Sequence, residues 1–234
     1  SIEINGIDFI FLNNILRINL LYVFFIVLCF LFIINGSNLI DGFNGLLAFQ
    51  LIIINSILLF INIENGFQTI SILITAQIIT LLVFLLFNFP SAKIFMGDGG
   101  AYLFGTFTAL NVIETNNLNP DISSFFYCII LFYLFFEVFF SFFRKIKQKK
   151  SPIKPDSEHL HMLSYKFLAF RKPGRDCNYL NALYINFMYC LVVLPSIWFK
   201  ESGSLCKYWF ISLIIVYLIT YFILNSFVKK KIDI

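Results

Sequence analysis

The sequence predicts an all-α, polytopic integral membrane protein: a single membrane domain over residues 1–234 with about seven transmembrane helices. Three observations carry this. Only 13% of the 234 residues are charged and 59% are hydrophobic, with 32 Phe, whereas a soluble domain carries about 25% charge. The charges are also clustered and leave seven uncharged runs, five of which exceed the ~20 residues that cross a bilayer as helix. A soluble bundle with so little polar face does not bury itself, and the alternation of about ten-residue segments that marks a membrane β-barrel is absent.

The runs follow in chain order. Residues 18–40 lie between Arg17 and Asp41, 42–63 between Asp41 and Glu64, and 65–92 between Glu64 and Lys93. Two shorter runs follow, 99–113 after Asp98 and 122–136 before Glu137. The last two are 177–199, ending at Lys200, and 208–228, ending at Lys229. The first run starts too far in, at Ile18, and lacks the small-residue cleavage site of a signal peptide. The cysteines at 29, 128, 177, 190 and 206 form no Cys-x-x-Cys pair, so neither a disulfide framework nor a thiolate metal site is indicated.

Numbering the connections alternately puts 37–45, 91–99, 144–178 and the tail 229–234 on one side. That side holds fourteen of the 17 Lys and Arg residues; Arg17, Lys200 and Lys207 lie on the other. Cytoplasmic loops carry the excess of Lys and Arg, so the first side is expected to be cytoplasmic, with 144–178 as a large basic cytoplasmic loop. The same basic face suits an anionic lipid or a phosphorylated ligand.

Three polar clusters fall on that face: NGSNLIDGFNG (35–45), AKIFMGDGG (92–100) and KPDSEHLHM (154–162). A transporter places ionisable groups along its spans near the midplane; here they gather at one interface, as suits an enzyme joining a water-soluble substrate to a membrane-embedded one. Asp98 stands among Gly97, Gly99 and Gly100, with Lys93 five residues earlier. Glycines let backbone N–H groups approach a phosphate, and a carboxylate beside such a loop suits Mg²⁺, which takes few protein ligands. A solvated glycine turn is the competing reading. Asn38, Asp41 and Asn44 recur every third residue, a spacing that serves either a shared helix edge or capping. His159 and His161, beside Asp156 and Glu158, are the only two histidines; they fit phosphate contact or a solvated loop, and no His-Glu-x-x-His pattern supports zinc. Glu137 interrupts the apolar YLFFEVFFSFF, where an acid is a functional residue by default; the seven-residue spacing to Arg144 suggests that the two pair on one helix face.

Together, in this order, the clusters resemble those of the polyprenyl-phosphate N-acetylhexosamine-1-phosphate transferases, glycosyltransferase family 4. NLIDGFNG looks like the family's Asn-x-x-Asp-Gly-x-Asp/Asn-Gly motif, NFPSAKIFMGDGGAYLFG like its metal-site loop, and KPDSEHLHM like its Pro-Asp-x-x-His-x-His loop. The resemblance implies that a polyprenyl phosphate attacks the β-phosphorus of a UDP-amino sugar and releases UMP. It implies catalytic roles for Asp98, Asp41, His159 and His161, with Asp98 and Asp41 holding Mg²⁺, or Mn²⁺ as the alternative ion. Asn38, Asn44, Asn88, Lys93, Phe95, Asp156 and Glu137 are the implied substrate contacts, with Phe95 stacking on uracil. The spelling GDGGAY and PDxEHLH leans toward a GlcNAc-type sugar.

Two departures are mild: Asn44 stands where many members have Asp, and Met162 where many have a third His. A third is larger. The family carries an adjacent acidic pair near its second and third spans, and this chain has no Asp-Asp pair. The chain starts at Ser1, about where the family's third span ends, so a form lacking the N-terminal third is expected, with no turnover by these 234 residues alone. The expected protein initiates a cell-surface glycan in the bacterial inner membrane, its active face cytoplasmic. Its expected partners are a UDP-sugar, undecaprenyl phosphate and the bilayer, with a homodimer allowed and no nucleic acid. The alternative is a non-catalytic membrane remnant or subunit that keeps the UDP-sugar contacts.

Overall fold

The computed structural model describes residues 18–152, 154 and 157–232. Asp156, one of the expected substrate contacts, lies outside the described residues. The chain forms α1 (Asn19–Ile40), α2 (Leu46–Glu64), α3 (Gln68–Asn88), α4 (Gly97–Leu118), α5 (Ser124–Ile130), α6 (Phe132–Lys147), α7 (Leu160–Arg171), α8 (Asn178–Val193), a 3₁₀ turn over Leu194–Phe199, and α9 (Gly203–Ile232).

Five elements are long and apolar enough to cross a membrane: α1, α2, α3, α8 with its 3₁₀ extension, and α9. The α5–α6 pair passes the same test only when taken together and is bent by 78°, the form of a broken span or a re-entrant loop, which brings the number to six at most among the described residues. The run 122–136 is interrupted at that bend. The run 99–113 does become a helix: α4 is 22 residues long and carries Asp98, Asn111, Glu114, Thr115, Asn116 and Asn117. Its polar side chains are tolerable because α4 packs against α1, α2 and α3, which supply partners. α3 stops at Asn88, ahead of the helix-incompatible Pro90. α6 ends on Arg144, Lys145 and Lys147, cations that suit the negative end of the helix dipole. The basic segment 144–178 is not featureless, for it folds α7 against α8 and α9.

α2 is the most buried span and packs on α3, α4 and α8. α1 lies against α4 and α6. Its approach to α6 is close enough that a Cβ built on Gly36 would stand 2.1 Å from the Leu134 carbonyl oxygen. α6 meets α9 through aromatic rings, Phe136 against Tyr217 at 4.9 Å and Phe140 against Tyr221 at 4.6 Å between centroids.

Between α2 and α4 runs a ladder of amides, buried at its first two rungs and partly exposed at the third. Asn55 donates to Thr108 Oγ1 at 3.0 Å, Asn62 to Thr115 Oγ1 at 2.8 Å, and Asn65 to Asn119 Oδ1 at 2.6 Å. At the first rung α3 joins: Asn111 Nδ2 donates to Asn55 Oδ1 at 2.8 Å and to Gln77 Oε1 at 2.6 Å, and Gln77 Nε2 reaches Thr108 at 3.1 Å. Interhelical hydrogen bonds of this kind contribute about 0.6–2 kcal/mol each. Asn111→Ala is therefore expected to cost about 1–2 kcal/mol, read as a lower midpoint in an SDS titration of protein in mixed micelles; an unchanged midpoint would deny the ladder an energetic role.

Candidate functional site

The loops after α1 and before α4 close on each other through side-chain-to-loop bonds. Asn38, in the last turn of α1, donates from Nδ2 to Asp98 Oδ1 at 2.8 Å. In return, the N–H of Gly97 donates to Asp41 Oδ2 at 3.2 Å. Gly97 has φ +66°, a backbone conformation that glycine adopts without strain, and it opens α4 one residue before Asp98. Two carboxylates thus sit side by side at the N-terminal, positive end of α4. Asp98 Oδ2 and Asp41 Oδ1 have no hydrogen-bond partner among the described residues.

The flanking asparagines hold the frame. Asn88 accepts the Gly45 N–H at Oδ1 (2.6 Å) and donates to the Ile94 carbonyl at 2.8 Å. Asn44 donates to the Pro90 carbonyl at 2.8 Å, and its own N–H goes to Asn178 Oδ1 at 2.7 Å. Both carboxamides thus bond loop backbone. Lys93 is exposed, and Phe95, at 73% exposure, offers an uncovered ring face on the same loop as Asp98.

The Asp41 carboxyl is pushed up to about 6, first by burial and then by the negative charge of Asp98, with the Gly97 N–H pulling the other way. An acid whose folded value lies above its unfolded value of 3.8 weakens the fold once ionised, so this penalty grows as pH rises from about 4 to about 6. Asp41→Asn is accordingly expected to raise the thermal midpoint of metal-free protein at pH 7.5 and to leave it unchanged below pH 4; equal midpoints at pH 7.5 would refute the strain.

The two histidines gather on the other flank. Glu137 is 1% exposed and bonds neither as a surface acid nor with Arg144 as its spacing suggested. Its Oε1 lies 3.0 Å from His159 Nδ1 and accepts the Leu160 N–H at 3.1 Å, while Oε2 accepts the Tyr217 hydroxyl at 2.7 Å. Arg144 instead reaches Glu158 at 2.7 Å. Hydrogen bonds from Gln148, Arg144 and Lys150 hold the Glu158 carboxyl below its ordinary value although partial burial alone would raise it. His161 is fully buried, with its ring parallel to that of His159 at 5.5 Å and Nδ1 3.3 Å from the Tyr133 hydroxyl. Burial, aided by the neighbouring His159, lowers it to about 4 against the pull of Glu137, so it is neutral at pH 7. Phe43, two residues past Asp41, packs edge-on against His161 at 5.8 Å and ties this flank to the carboxylate loop.

The structure thus brings the three sequence clusters to one end of the bundle. Sequence reasoning missed Tyr133, Tyr217, Asn178 and Phe43. Tyr133 stands four residues before Glu137 on one helix, a spacing that places them on one face. Tyr217 is 80 residues away from Glu137 and carried no signal. Among the described residues, no group of three or more His, Cys, Asp or Glu stands ready to hold a metal.

Residues 1–116, just under half of the chain, match the protein family described as Glycosyl transferase family 4. An undecaprenyl-phosphate alpha-N-acetylglucosaminyl 1-phosphate transferase of Thermotoga maritima is 28% identical over 192 residues, covering 82% of this chain and 55% of that protein. A phospho-N-acetylmuramoyl-pentapeptide-transferase of Dictyoglomus thermophilum is 31% identical over 149 residues, covering 63% of this chain and 47% of that protein. The chain spans about half the length of these curated relatives. No solved structure matches it.

Proposed function

Because the chain belongs to glycosyl transferase family 4, we propose that it carries the cytoplasmic phosphoryl-transfer site of a bacterial polyprenyl-phosphate sugar-1-phosphate transferase. The donor is a UDP-N-acetylhexosamine, of the GlcNAc type. A phosphate oxygen of the polyprenyl phosphate forms a bond to the β-phosphorus of the donor, the bond from that phosphorus to the UMP oxygen breaks, and UMP leaves with the electron pair. Such a reaction needs positioning and charge neutralisation more than covalent help from the protein.

The observation that carries this reading is the pairing of Asn38 with Asp98, which joins two loops sixty residues apart and sets Asp98 beside Asp41. Two carboxylates with one oxygen each to spare fit Mg²⁺, which takes one or two carboxylates and completes its shell with water and substrate phosphate. When bound, the ion would neutralise the diphosphate. The chain's own part is to aim those oxygens: Asn38 orients Asp98, the Gly97 N–H orients Asp41, and Asn44 and Asn88 keep the two loops in register. Phe95 supplies a ring face for uracil, and Lys93 a cation for the phosphates. His159 meets the phosphates or the sugar from the opposite flank.

The test is a titration of the chain in nanodiscs with UDP-GlcNAc, with and without Mg²⁺. Mg²⁺-dependent binding is expected; binding that ignores Mg²⁺, or none, refutes the reading. A second reading is that the chain binds the nucleotide sugar without turning it over. UMP release with undecaprenyl phosphate present separates the two.

A further inference from the structure

We propose that Glu137 is a positioning residue that fixes the tautomer of His159, holding its proton on Nδ1 so that Nε2 is the basic atom. The step rests on the transferase reading only for the substrate that Nε2 meets; the arrangement itself is read from hydrogen bonds.

Both oxygens of Glu137 are engaged as acceptors. Oε2 takes the Tyr217 hydroxyl and Oε1 takes the Leu160 N–H. The third neighbour, His159 Nδ1 at 3.0 Å from Oε1, therefore has to donate. A ring that donates from Nδ1 to a carboxylate is fixed in orientation and made more basic at Nε2, as in carboxylate–histidine pairs elsewhere. The same carboxylate also caps a helix. His159 is the N-cap residue of α7 but makes no side-chain cap, and the Leu160 N–H is satisfied by Glu137 from across the gap. One side chain on α6 thus anchors the histidine, the helix that follows it, and α9.

The two histidines divide accordingly. His161 is enclosed, Nδ1 is met by Tyr133, and Nε2 has no partner among the described residues. It is a neutral ring that supports its neighbour face to face. Among the described residues, His159 faces the Glu137 carboxylate and the His161 ring, with Glu158 next to it in the chain, while Tyr217 reaches Glu137 and Tyr133 reaches His161. Arg144 is engaged by Glu158 and stands over the Tyr221 ring. His159 itself contacts the Glu137 carboxylate.

Two histidines in the whole chain make the test direct. Histidine-selective ¹⁵N labelling of the chain in nanodiscs reports the tautomer of each ring, and His159→Gln assigns them. In the wild type the neutral His159 ring is expected to be protonated on Nδ1. Glu137→Gln, which keeps the shape and removes the charge, is expected to erase that preference. Tyr217→Phe leaves the carboxylate and its bond to the ring in place and is expected to keep the preference. A preference lost in the first folded variant and kept in the second supports the assignment, and a purely structural glutamate does not produce that pattern. An Nε2–H tautomer in the wild type, or an unchanged preference in folded Glu137→Gln, overturns it. Should Glu137→Gln fail to fold, the wild-type tautomer decides alone. None of these readouts needs turnover, so the nucleotide titration tests the transferase reading separately.

Discussion

Alanine at position 98 is expected to weaken Mg²⁺-dependent UDP-GlcNAc binding by about 100-fold or more, the scale on which removing one preorganised charge partner acts in such sites. The protein should still insert and melt normally. Asp98 is exposed, and its one described hydrogen bond is the one it accepts from Asn38, so its loss leaves no buried group orphaned. Asn38→Ala removes only the orienting bond and should cost less, about 10-fold. Both affinities are read from the same titration of protein in nanodiscs, and wild-type affinity in the Asp98 variant would remove that residue from the site.

The largest effect on stability is expected from Gly36→Val. The new Cβ would meet the Leu134 carbonyl oxygen at 2.1 Å, and that atom is α6 backbone with no rotamer to escape into. Overpacking against fixed backbone costs about 3 kcal/mol or more, enough to part α1 from α6, and the yield of monodisperse protein after detergent extraction should collapse. Gly42→Ala is the control: nothing lies within 4 Å of its built Cβ, and the change should stay within about 0.5 kcal/mol. Comparable yields of the two variants would show that the α1–α6 contact can relax.

How much of this was legible beforehand depended on the kind of signal. Span existence was legible because the membrane imposes one rule, a long run of apolar residues, on every helix that crosses it. The bend at Leu131 and the polar content of α4 escaped that rule. A bent helix pair and a buried helix both get their polar partners from other helices, and composition along one helix does not reveal them. In the site, Asp41, Asp98 and Asn38 were legible because their spacing and glycine neighbours are local. Glu137 was recognised as anomalous, but the expected partner was Arg144, the nearest cation in sequence. The fold chose His159 and Tyr217, brought from other helices, because a fully enclosed acid needs several donors at once. Asn88 through both its amide groups and Asn44 through its Nδ2 also bond loop backbone, which spacing alone does not reveal.

The parallel amide ladder between α2 and α4 has a mechanical consequence. A single cross-link between two rods permits pivoting, whereas three at successive heights forbid both pivoting and axial travel. Moving α4 by even one residue, about 1.5 Å, would misalign every link together. Asp98 stands about 15 Å along α4 from Thr108, the first link, so its height is gauged against the most buried span. The histidine flank is held differently, by the Glu137 carboxylate, by the Tyr133 hydroxyl beside His161, and by Asn181 of α8, which donates to the His161 carbonyl at 2.9 Å. The two flanks meet at Phe43, whose ring packs against both His161 and Tyr165.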